Sequence, residues 1–416
     1  MRNSPFWWVL LIAMVLLDLY IFQVLKYITV SANPRTKTII YSIYWIISIA
    51  AIVFLAVLPY LHFDQLPKTF RNTVFAIIAG LFFAKIAASV LFLFDDIRRG
   101  VQWVAGKLFF ANTEGGQIAD SDKISRSSFL SWLGMAVGGG LFGSLVYGFS
   151  NKYNYQVKRL QLAFTNLPAS FKGLKIVHIS DIHSGSFNDK HSVELGIKKI
   201  MEEKPDIILF TGDLVNDAAH EMTDYIELFS TLNAPMGVYS TLGNHDYGDY
   251  INWKSVEEKS ANLERLKQIH GEMGWRLLMN EHVELQKGDE KIALLGIENW
   301  GAKANFPKYG DLSKAHAGAK HYPFKILMSH DPSHWDAQVR PSYPDIDLML
   351  AGHTHGMQFG VEIPGFRWSP VQYIYKQWAG LYEEGVQKLY VNRGYGFIGY
   401  PGRVGILPEI TVLELV

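Results

Sequence analysis

The chain has 416 residues, 39 basic and 39 acidic side chains, and 49% hydrophobic residues. That length asks for at least two structural units, and zero net charge removes the general electrostatic argument for a nucleic-acid partner. Cysteine is absent, so disulfides and thiolate metal sites are excluded, and any metal must rest on nitrogen and oxygen donors.

Four long apolar stretches come first, at about residues 6–25, 38–60, 73–94 and 129–149. Each is close to the ~20 residues that cross a hydrocarbon core as a helix, and none carries the polar face of a soluble core helix. The first holds Asp18 in its middle and lacks a small-residue cleavage site, so it reads as a span and not a signal peptide. Trp7, Trp8 and Tyr60 stand near span ends, as interfacial anchors do. Gly134, Gly138, Gly139 and Gly143 form two successive Gly-x-x-x-Gly pairs, which permit close helix contact. Asp18 and Lys85 each lie near the centre of a span, where a lone charge is costly. Two arrangements relieve that cost: an ion pair joining the first and third helices, or separate escape to an interface or a wet groove.

An even number of spans leaves the N-terminus and the C-terminal half on one side. That side carries Arg2, Lys68, Arg71, Lys152, Lys158 and Arg159 near the spans. The other carries Lys26, Arg35, Lys37, Arg98, Arg99, Lys107, Lys123 and Arg126. The slight excess puts the C-terminal half outside the cytoplasm of the cell membrane. Ser125-Arg126-Ser127-Ser128-Phe129-Leu130, similar to a twin-arginine export signal lacking one arginine, points the same way.

Past residue 150 the composition changes, dividing the chain into a transmembrane region (1–150) and a second domain (151–416). Residues 151–161 are polar and basic and read as a connector entering a first strand. Strand patterns at 174–180, 206–211 and 237–242 alternate with helical ones at 190–203, 221–232 and 254–272, the last a charged surface helix. Further strands are expected at 292–297, 324–328 and 346–350, with a final pair near 388–391 and 409–415. Such alternation is the pattern of an α/β layered domain.

Five motifs follow most of these strands: Asp181-Ile182-His183, Gly212-Asp213, Gly243-Asn244-His245-Asp246, Ser329-His330, and Gly352-His353-Thr354-His355-Gly356. Chemistry in open α/β folds gathers at the carboxyl ends of strands. Side chains two apart on extended backbone point the same way, so Asp181 and His183 should face one point, and His353 and His355 another. A carboxylate with imidazoles suits Zn, Mn or Fe, whereas Ca or Mg favour all-oxygen shells. Asp213 is positioned to hold two cations with its two oxygens, and Asn244 offers a neutral amide oxygen.

On these motifs the C-terminal half resembles the calcineurin-like metallophosphoesterase family, and its membrane-attached branch in particular. The resemblance runs from about Tyr155 to the C-terminus and includes Leu167-Pro168, Gly173 to Asp181, Asn392-Arg393-Gly394 and Leu407 to Thr411. It implies a four-layer α-β-β-α sandwich with two divalent metal ions at the strand ends. It further implies that Asp181, His183 and His355 hold the first metal, that Asp213 bridges, and that Asn244, His330 and His353 complete the second. His245 matches a non-ligand histidine near the leaving group and Asp246 its carboxylate partner. Met357 departs from the branch, which usually has glycine there, and this bears on substrate choice. Two cations ~3.5–4 Å apart lower the pKa of a bridging water, and the hydroxide attacks phosphorus in line. The expected activity is a membrane-anchored phosphoesterase acting on a phosphate ester or pyrophosphate, with a lipid-linked substrate favoured by the tether. Metal identity, ester type and oligomeric state stay open.

Of the remaining histidines, His178 is expected in the core and His220 on a solvated loop. His191, His270, His282, His316 and His321 are expected at the surface, and His334 beside the pocket but outside the ligand set. Arg393 and Tyr395 are candidates for a phosphate or headgroup contact. Phe366, Trp368, Tyr373 and Tyr375 are expected either at the membrane interface or in a small lid. A second functional class, a multi-pass transporter or sensor with a regulatory metal-binding domain, draws its support from Asp18 and Lys85. A third is a metal-binding interaction module without turnover.

Overall fold

A computed structural model describes residues 5–60, 66–109, 121–303 and 306–416, with the side chains at 5–6, 68–69, 107–109 and 121–127 left aside. Of the charges counted for orientation, Arg2 and the side chains of Lys68, Lys107, Lys123 and Arg126 lie outside the described residues, as do those of Ser125 and Ser127 in the export-signal-like segment. The chain divides into two compact units, Met1–Tyr147 and Gly148–Val416.

Among the described residues, the first unit has four α-helices: α1 (Pro5–Ile28), α2 (Pro34–Val57), α3 (Lys68–Phe109) and α4 (Ser121–Gly148). Each is long and apolar enough to cross a membrane, with spans at Trp7–Ile28, Pro34–Tyr60, Phe70–Gly106 and Ser128–Asn151. The Asn33 side chain caps α2 by accepting the Thr36 N–H at 2.9 Å, and Pro34 starts its first turn. α3 runs well past the expected 94. Beyond Phe94 come Asp95, Asp96, Arg98 and Arg99, which pair three and four residues apart (Arg98–Asp95 2.7 Å, Arg99–Asp95 3.3 Å) and sustain the helix with polar contacts.

Of the two arrangements open to Asp18 and Lys85, the structure has the ion pair, Nζ to Oδ1 at 2.5 Å. Ser48 and Tyr44 of α2 donate to the same carboxylate oxygen at 2.7 and 2.8 Å, so three helices meet at one charge. Gly134 and Gly138 let α4 press on α3, where added methyls would strike Phe92 and the Ala84 carbonyl. Gly139 and Gly143 face open space. One Gly-x-x-x-Gly pair is therefore used for packing and the other is not.

In the second unit, the first strands are β1 (Gln156–Leu162), β2 (Lys175–Ile179), β3 (Ile207–Phe210), β4 (Val238–Ser240), β5 (Arg276–Leu277), β6 (Glu281–Lys287) and β7 (Glu290–Gly296). They are followed by β8 (Lys325–Met328), β9 (Leu348–Ala351), β10 (Val361–Ile363), β11 (Phe366–Trp368), β12 (Gly380–Glu384), β13 (Gln387–Val391) and β14 (Glu409–Leu415). Two six-stranded sheets result, ordered β1-β14-β2-β3-β4-β5 and β12-β13-β9-β8-β7-β6, with β10 and β11 as a separate hairpin. The unit's longer helices are α5 (Lys190–Glu202) and α7 (Val256–Glu272), with short α6 (Ile226–Phe229) between them and α8 (Leu312–His316) after them.

β3 shows why the layers stack. Ile207 and Leu209 enter the apolar cluster between the sheets, and Ile208 and Phe210 enter the cluster under α5 and α7. A strand covered on both faces reads as an unbroken apolar run. Across the second sheet, Ile326 and Met328 face the first while Leu327 faces α8 and Trp335. The order is helix, sheet, sheet, helix, the expected four-layer sandwich.

Three local expectations change. Residues 221–232 do not form one helix: a 3-10 turn at Ala219–Met222 precedes α6, and the Glu221 carboxylate accepts the Asn216 N–H at 2.6 Å. His270 is buried on the inward face of the charged helix α7, beside Leu266 and Ile269. His316 is also buried, its Nε2 2.8 Å from Asp345. His178 is a core residue as expected, with Nε2 2.9 Å from the Thr211 hydroxyl.

Candidate metal centre

Parallel pairing of β2 with β3 and β3 with β4, and of β7 with β8 and β8 with β9, turns the carboxyl ends of these strands to common rims. Asp181 and His183 follow β2, Asp213 follows β3, and Asn244 to Asp246 follow β4. His330 follows β8, and His353 with His355 follow β9. Two donor groups assemble: Asp181 with His183 and His355, and Asp213 with His330 and His353.

The backbone reaches this arrangement by leaving extended geometry. Asp181, His183, Asp213, His353 and His355 have φ of 54°, 49°, 60°, 72° and 50°, a region that costs non-glycine residues ~1–3 kcal/mol each. The extended-strand expectation for His353 and His355 is therefore overturned: left-handed turns send them to different groups. Glycine allows the loops to close, since a Cβ at Gly352 would run into the Asp181 carboxylate.

Asp213 is the hinge between the groups. Its Oδ2 lies 3.5 Å from His183 Nε2 and 3.2 Å from His330 Nε2, while Oδ1 accepts the His245 N–H at 2.9 Å. One oxygen faces both groups, not one oxygen each as expected from sequence. His355 Nε2 lies 3.3 Å from Asp181 Oδ1. The 3.2 and 3.3 Å gaps match ligand edges around one ion, which for ~2.1 Å bonds fall near ~3.0–3.4 Å, and the 3.5 Å gap is slightly wider.

Both ring nitrogens of His183 and the Nε2 of His355 are buried without a hydrogen-bond partner. Orphaned imidazole nitrogens beside carboxylates fit a divalent cation. His330 Nδ1 lies 2.7 Å from the Thr211 carbonyl, which leaves Nε2 for a metal. His353 is turned the other way: Nδ1 is 2.8 Å from Asn244 Oδ1, and Nε2 is 2.9 Å from the Tyr375 hydroxyl.

Burial pushes His183 down to about 3 and lowers His353 and His355 as well. For His330 burial also pulls downward, but Asp213 and Asp181 outweigh it and raise the ring to about 10. Asp213 is held well below the usual carboxylate range, burial being overcome by His330, His245 and His183. Buried Asp213 thus demands positive charge, which a divalent cation supplies more fully than one proton, whereas burial raises Asp181 to about 6.

His245 and Asp246 do not form the expected side-chain pair. His245 Nδ1 sits 2.7 Å from the Asn216 carbonyl. Asp246 instead accepts backbone N–H groups from Asp213, Leu214 and Gly243 at 2.8 Å and from Val215 at 3.3 Å. Its neighbours in sequence and across the rim offer four donors, and a buried carboxylate takes them.

A cavity of about 380 Å³ opens over the site, bordered by His183, Asp213, Asn244, His245, His353 and His355. Its other wall is mostly apolar, with Tyr250, Phe306, Met357, Val371, Ile374 and Ile398. His334 lies behind it, held by Ser329 and Gln338 at 2.9 and 2.7 Å. Arg393 and Tyr395 are not available to a phosphate. Arg393 pairs with Glu409 and Glu362, and the Tyr395 hydroxyl donates to the Val193 carbonyl at 2.7 Å.

Sequence reasoning did not single out Asp331, Asn216 or Arg403. Asp331 Oδ2 lies 3.7 Å from His353 Nε2, and its place directly after His330 was the available signal. The fully buried Arg403 donates to the His355 carbonyl at 3.2 Å and reaches His355 Nδ1 at 3.1 Å, with no local motif to mark it.

Known proteins are similar to this chain in sequence. The description "Probable Calcineurin-like phosphoesterase, transmembrane domain" matches residues 1–152, and "Calcineurin-like phosphoesterase" matches residues 174–357. The metallophosphoesterase YkuE of Bacillus subtilis (strain 168) is 30% identical over 302 residues, 70% of this chain and 98% of that protein. The chain belongs to the calcineurin-like metallophosphoesterase family. This metallophosphoesterase is also 30% identical, over 278 residues, to the "Transmembrane protein with metallophosphoesterase domain" of Danio rerio, covering 65% of this chain and 60% of that one. The "UDP-2,3-diacylglucosamine pyrophosphatase LpxG" of Chlamydia trachomatis serovar D is 27% identical over 305 residues, 61% of this chain and 88% of that protein. The metallophosphoesterase is thus a membrane-associated, metal-dependent phosphoester hydrolase.

Proposed function

We propose that this metallophosphoesterase is a membrane-anchored, dinuclear enzyme that hydrolyses a phosphate ester or pyrophosphate carried on a lipid. The observation behind the reading is the single Asp213 oxygen facing two donor groups at the edge of a half-apolar cavity. Asp181, His183 and His355 would hold one cation, and Asn244, His330 and His353 the other, with Asp213 common to both. Mn, Fe or Zn suits this mixed donor set. Bound there, the pair of cations supplies hydroxide near neutral pH and offsets charge on the phosphoryl oxygens.

His245, held through Nδ1 on the Asn216 carbonyl, turns Nε2 to the cavity and, as the doubly protonated imidazolium, gives its Nε2 proton to the leaving oxygen, keeping the Nδ1 proton. The apolar wall takes the hydrophobic part of the substrate and excludes water. The pyrophosphatase relative supports a lipid-linked diphosphate as one form of that substrate. The Lys and Arg balance supports a catalytic unit outside the cytoplasm, and a C-terminal reporter active in the cytoplasm would overturn that side.

Transport or sensing loses its support, because Asp18 and Lys85 satisfy each other. The test is the purified full chain with Mn and bis-p-nitrophenyl phosphate. Turnover lost in Asp213→Ala and on chelation supports the reading; bound metal without turnover defeats it. Lipid extracts from producing and deleted cells then identify the substrate.

A further inference from the structure

The hairpin of β10 and β11 is built inside out. In its register Val361 pairs with Trp368, Glu362 with Arg367, and Ile363 with Phe366. Directly opposed residues share a face and alternate ones switch faces, so Val361, Ile363, Phe366 and Trp368 form one side and Glu362 with Arg367 the other. A hairpin lying on a water-soluble domain turns its apolar side inward. Here the charged side is the one that docks.

Glu362 pairs with Arg393 at 2.7 Å and with Lys158 at 3.7 Å. Arg367 donates to the Ala379 carbonyl and lies over the Trp378 and Tyr382 rings at 5.1 and 5.6 Å. On the outward side Ile363 and Phe366 are each more than half exposed. The apolar surface continues through the Trp368 indole, 3.4 Å from the Tyr373 hydroxyl, to the exposed Tyr373 and Ile374. Ile374 also lines the metal-site cavity, so this surface leads from the hairpin tip to the cavity mouth.

Its occupant follows from where the fourth span ends. That span runs to Asn151. Within the second unit, the Gly148 carbonyl accepts the Arg403 N–H at 2.9 Å, and the Phe149 ring lies 5.6 Å from Tyr400. Next to Arg403, Val404 donates to the Gln358 carbonyl at 2.8 Å and accepts the Gly360 N–H at 2.9 Å. The segment that carries the hairpin is therefore joined, one strand over, to the residues where the chain emerges from the bilayer.

We propose that the hairpin's outward face, with Tyr373 and Ile374, inserts into the lipid interface, so that the cavity opens along the membrane surface. An amphiphilic phosphate then reaches the metal site with its apolar part still in lipid. The substrate half of this inference rests on the phosphoesterase reading; the depth of the hairpin does not.

The native chain contains no cysteine, so Ile363→Cys or Phe366→Cys places one nitroxide label in the full-length protein. Val256→Cys, on the exposed start of α7, serves as the aqueous reference. In vesicles of phosphatidylcholine and phosphatidylglycerol, labels at 363 and 366 should relax with oxygen more than with a water-soluble nickel chelate, and the label at 256 the reverse. Labels at 363 and 366 as wet as at 256 would overturn insertion. Dipolar broadening between labels would indicate self-association and overturn it equally.

The double variant Ile363→Ser/Phe366→Ser should keep turnover of bis-p-nitrophenyl phosphate and lose about tenfold or more on a vesicle-borne phosphodiester. Equal loss on both substrates would assign the hairpin to the reaction pocket instead. Absence of turnover in the unaltered chain would sink the enzyme reading and leave the depth result standing.

Discussion

The Nδ1 of His245 lies 2.7 Å from the carbonyl oxygen of Asn216. The proton on Nδ1 is thereby fixed, and Nε2 is left for the cavity. His245→Ala should keep its metals and lose most turnover, by about 10²–10⁴-fold. Asp213→Ala should lose metal as well, because one oxygen serves both groups. Metal analysis finding an empty site in His245→Ala would contradict this division.

Asp246 acts differently from a catalytic carboxylate. It accepts four backbone N–H groups from the segments that carry Asp213 and Asn244. Asp246→Asn replaces one acceptor with a donor facing N–H groups, at a cost of about 1–3 kcal/mol. Its melting temperature and metal content should fall together. A variant with unchanged melting but displaced pH–rate profile would restore the side-chain partnership with His245.

The motifs come together at one rim, because each stands just past a buried apolar run, and that pattern survives in sequence. What they concealed was backbone direction. Asp181, His183, His353 and His355 are all left-handed, and nothing in Asp-x-His or His-x-His distinguishes a turn from a strand. The partner of His245 was hidden for a related reason: a main-chain carbonyl such as that of Asn216 has no residue signature. His270 illustrates a third gap, since a charged helix still has one inward face, and Leu266 with Ile269 marked it. The β10–β11 hairpin eluded an alternation argument that assumes apolar means inward.

Tyr375 holds the outer nitrogen of His353. Its hydroxyl lies 2.9 Å from His353 Nε2 and 3.4 Å from Asp331 Oδ2. Partners of this kind orient a metal-binding ring, and their removal costs about 10–100-fold in affinity or activity. Tyr375→Phe should weaken one of two metal equivalents about tenfold while the other is retained. Calorimetric titration of the apo protein with Mn checks this, and loss of both equivalents in parallel would refute it.

His270 makes stability depend on pH. Its ring is fully buried among Phe210 and Trp275, and burial holds it down to about 3. Unfolded, it titrates near ~6.5, so between those values the unfolded chain binds the extra proton. Stability is therefore full above about pH 6.5 and falls as pH drops towards 3, by about 1.4 kcal/mol per unit. His270→Phe should lose about 2 kcal/mol less than the unaltered chain between about pH 7 and 5. Denaturant unfolding in detergent at the two pH values measures the difference; equal losses would show that His270 is not the proton acceptor.

Asp18 and Lys85 join α1 to α3, with Ser48 and Tyr44 of α2 bound to the same carboxylate oxygen. Breaking a buried pair from one side strands a charge, which is far costlier than removing both partners. Asp18→Asn leaves the Lys85 ammonium facing a neutral amide, and Lys85→Met leaves the carboxylate with two hydroxyl donors. The double variant strands neither charge, so it should lose less stability than the two single losses added together. A coupling of about 1–3 kcal/mol is expected from thermal unfolding in detergent. Strict additivity would mean that each charge is stabilised independently, Asp18 by Ser48 and Tyr44 alone, and the link between the helices would then lie in their apolar contacts.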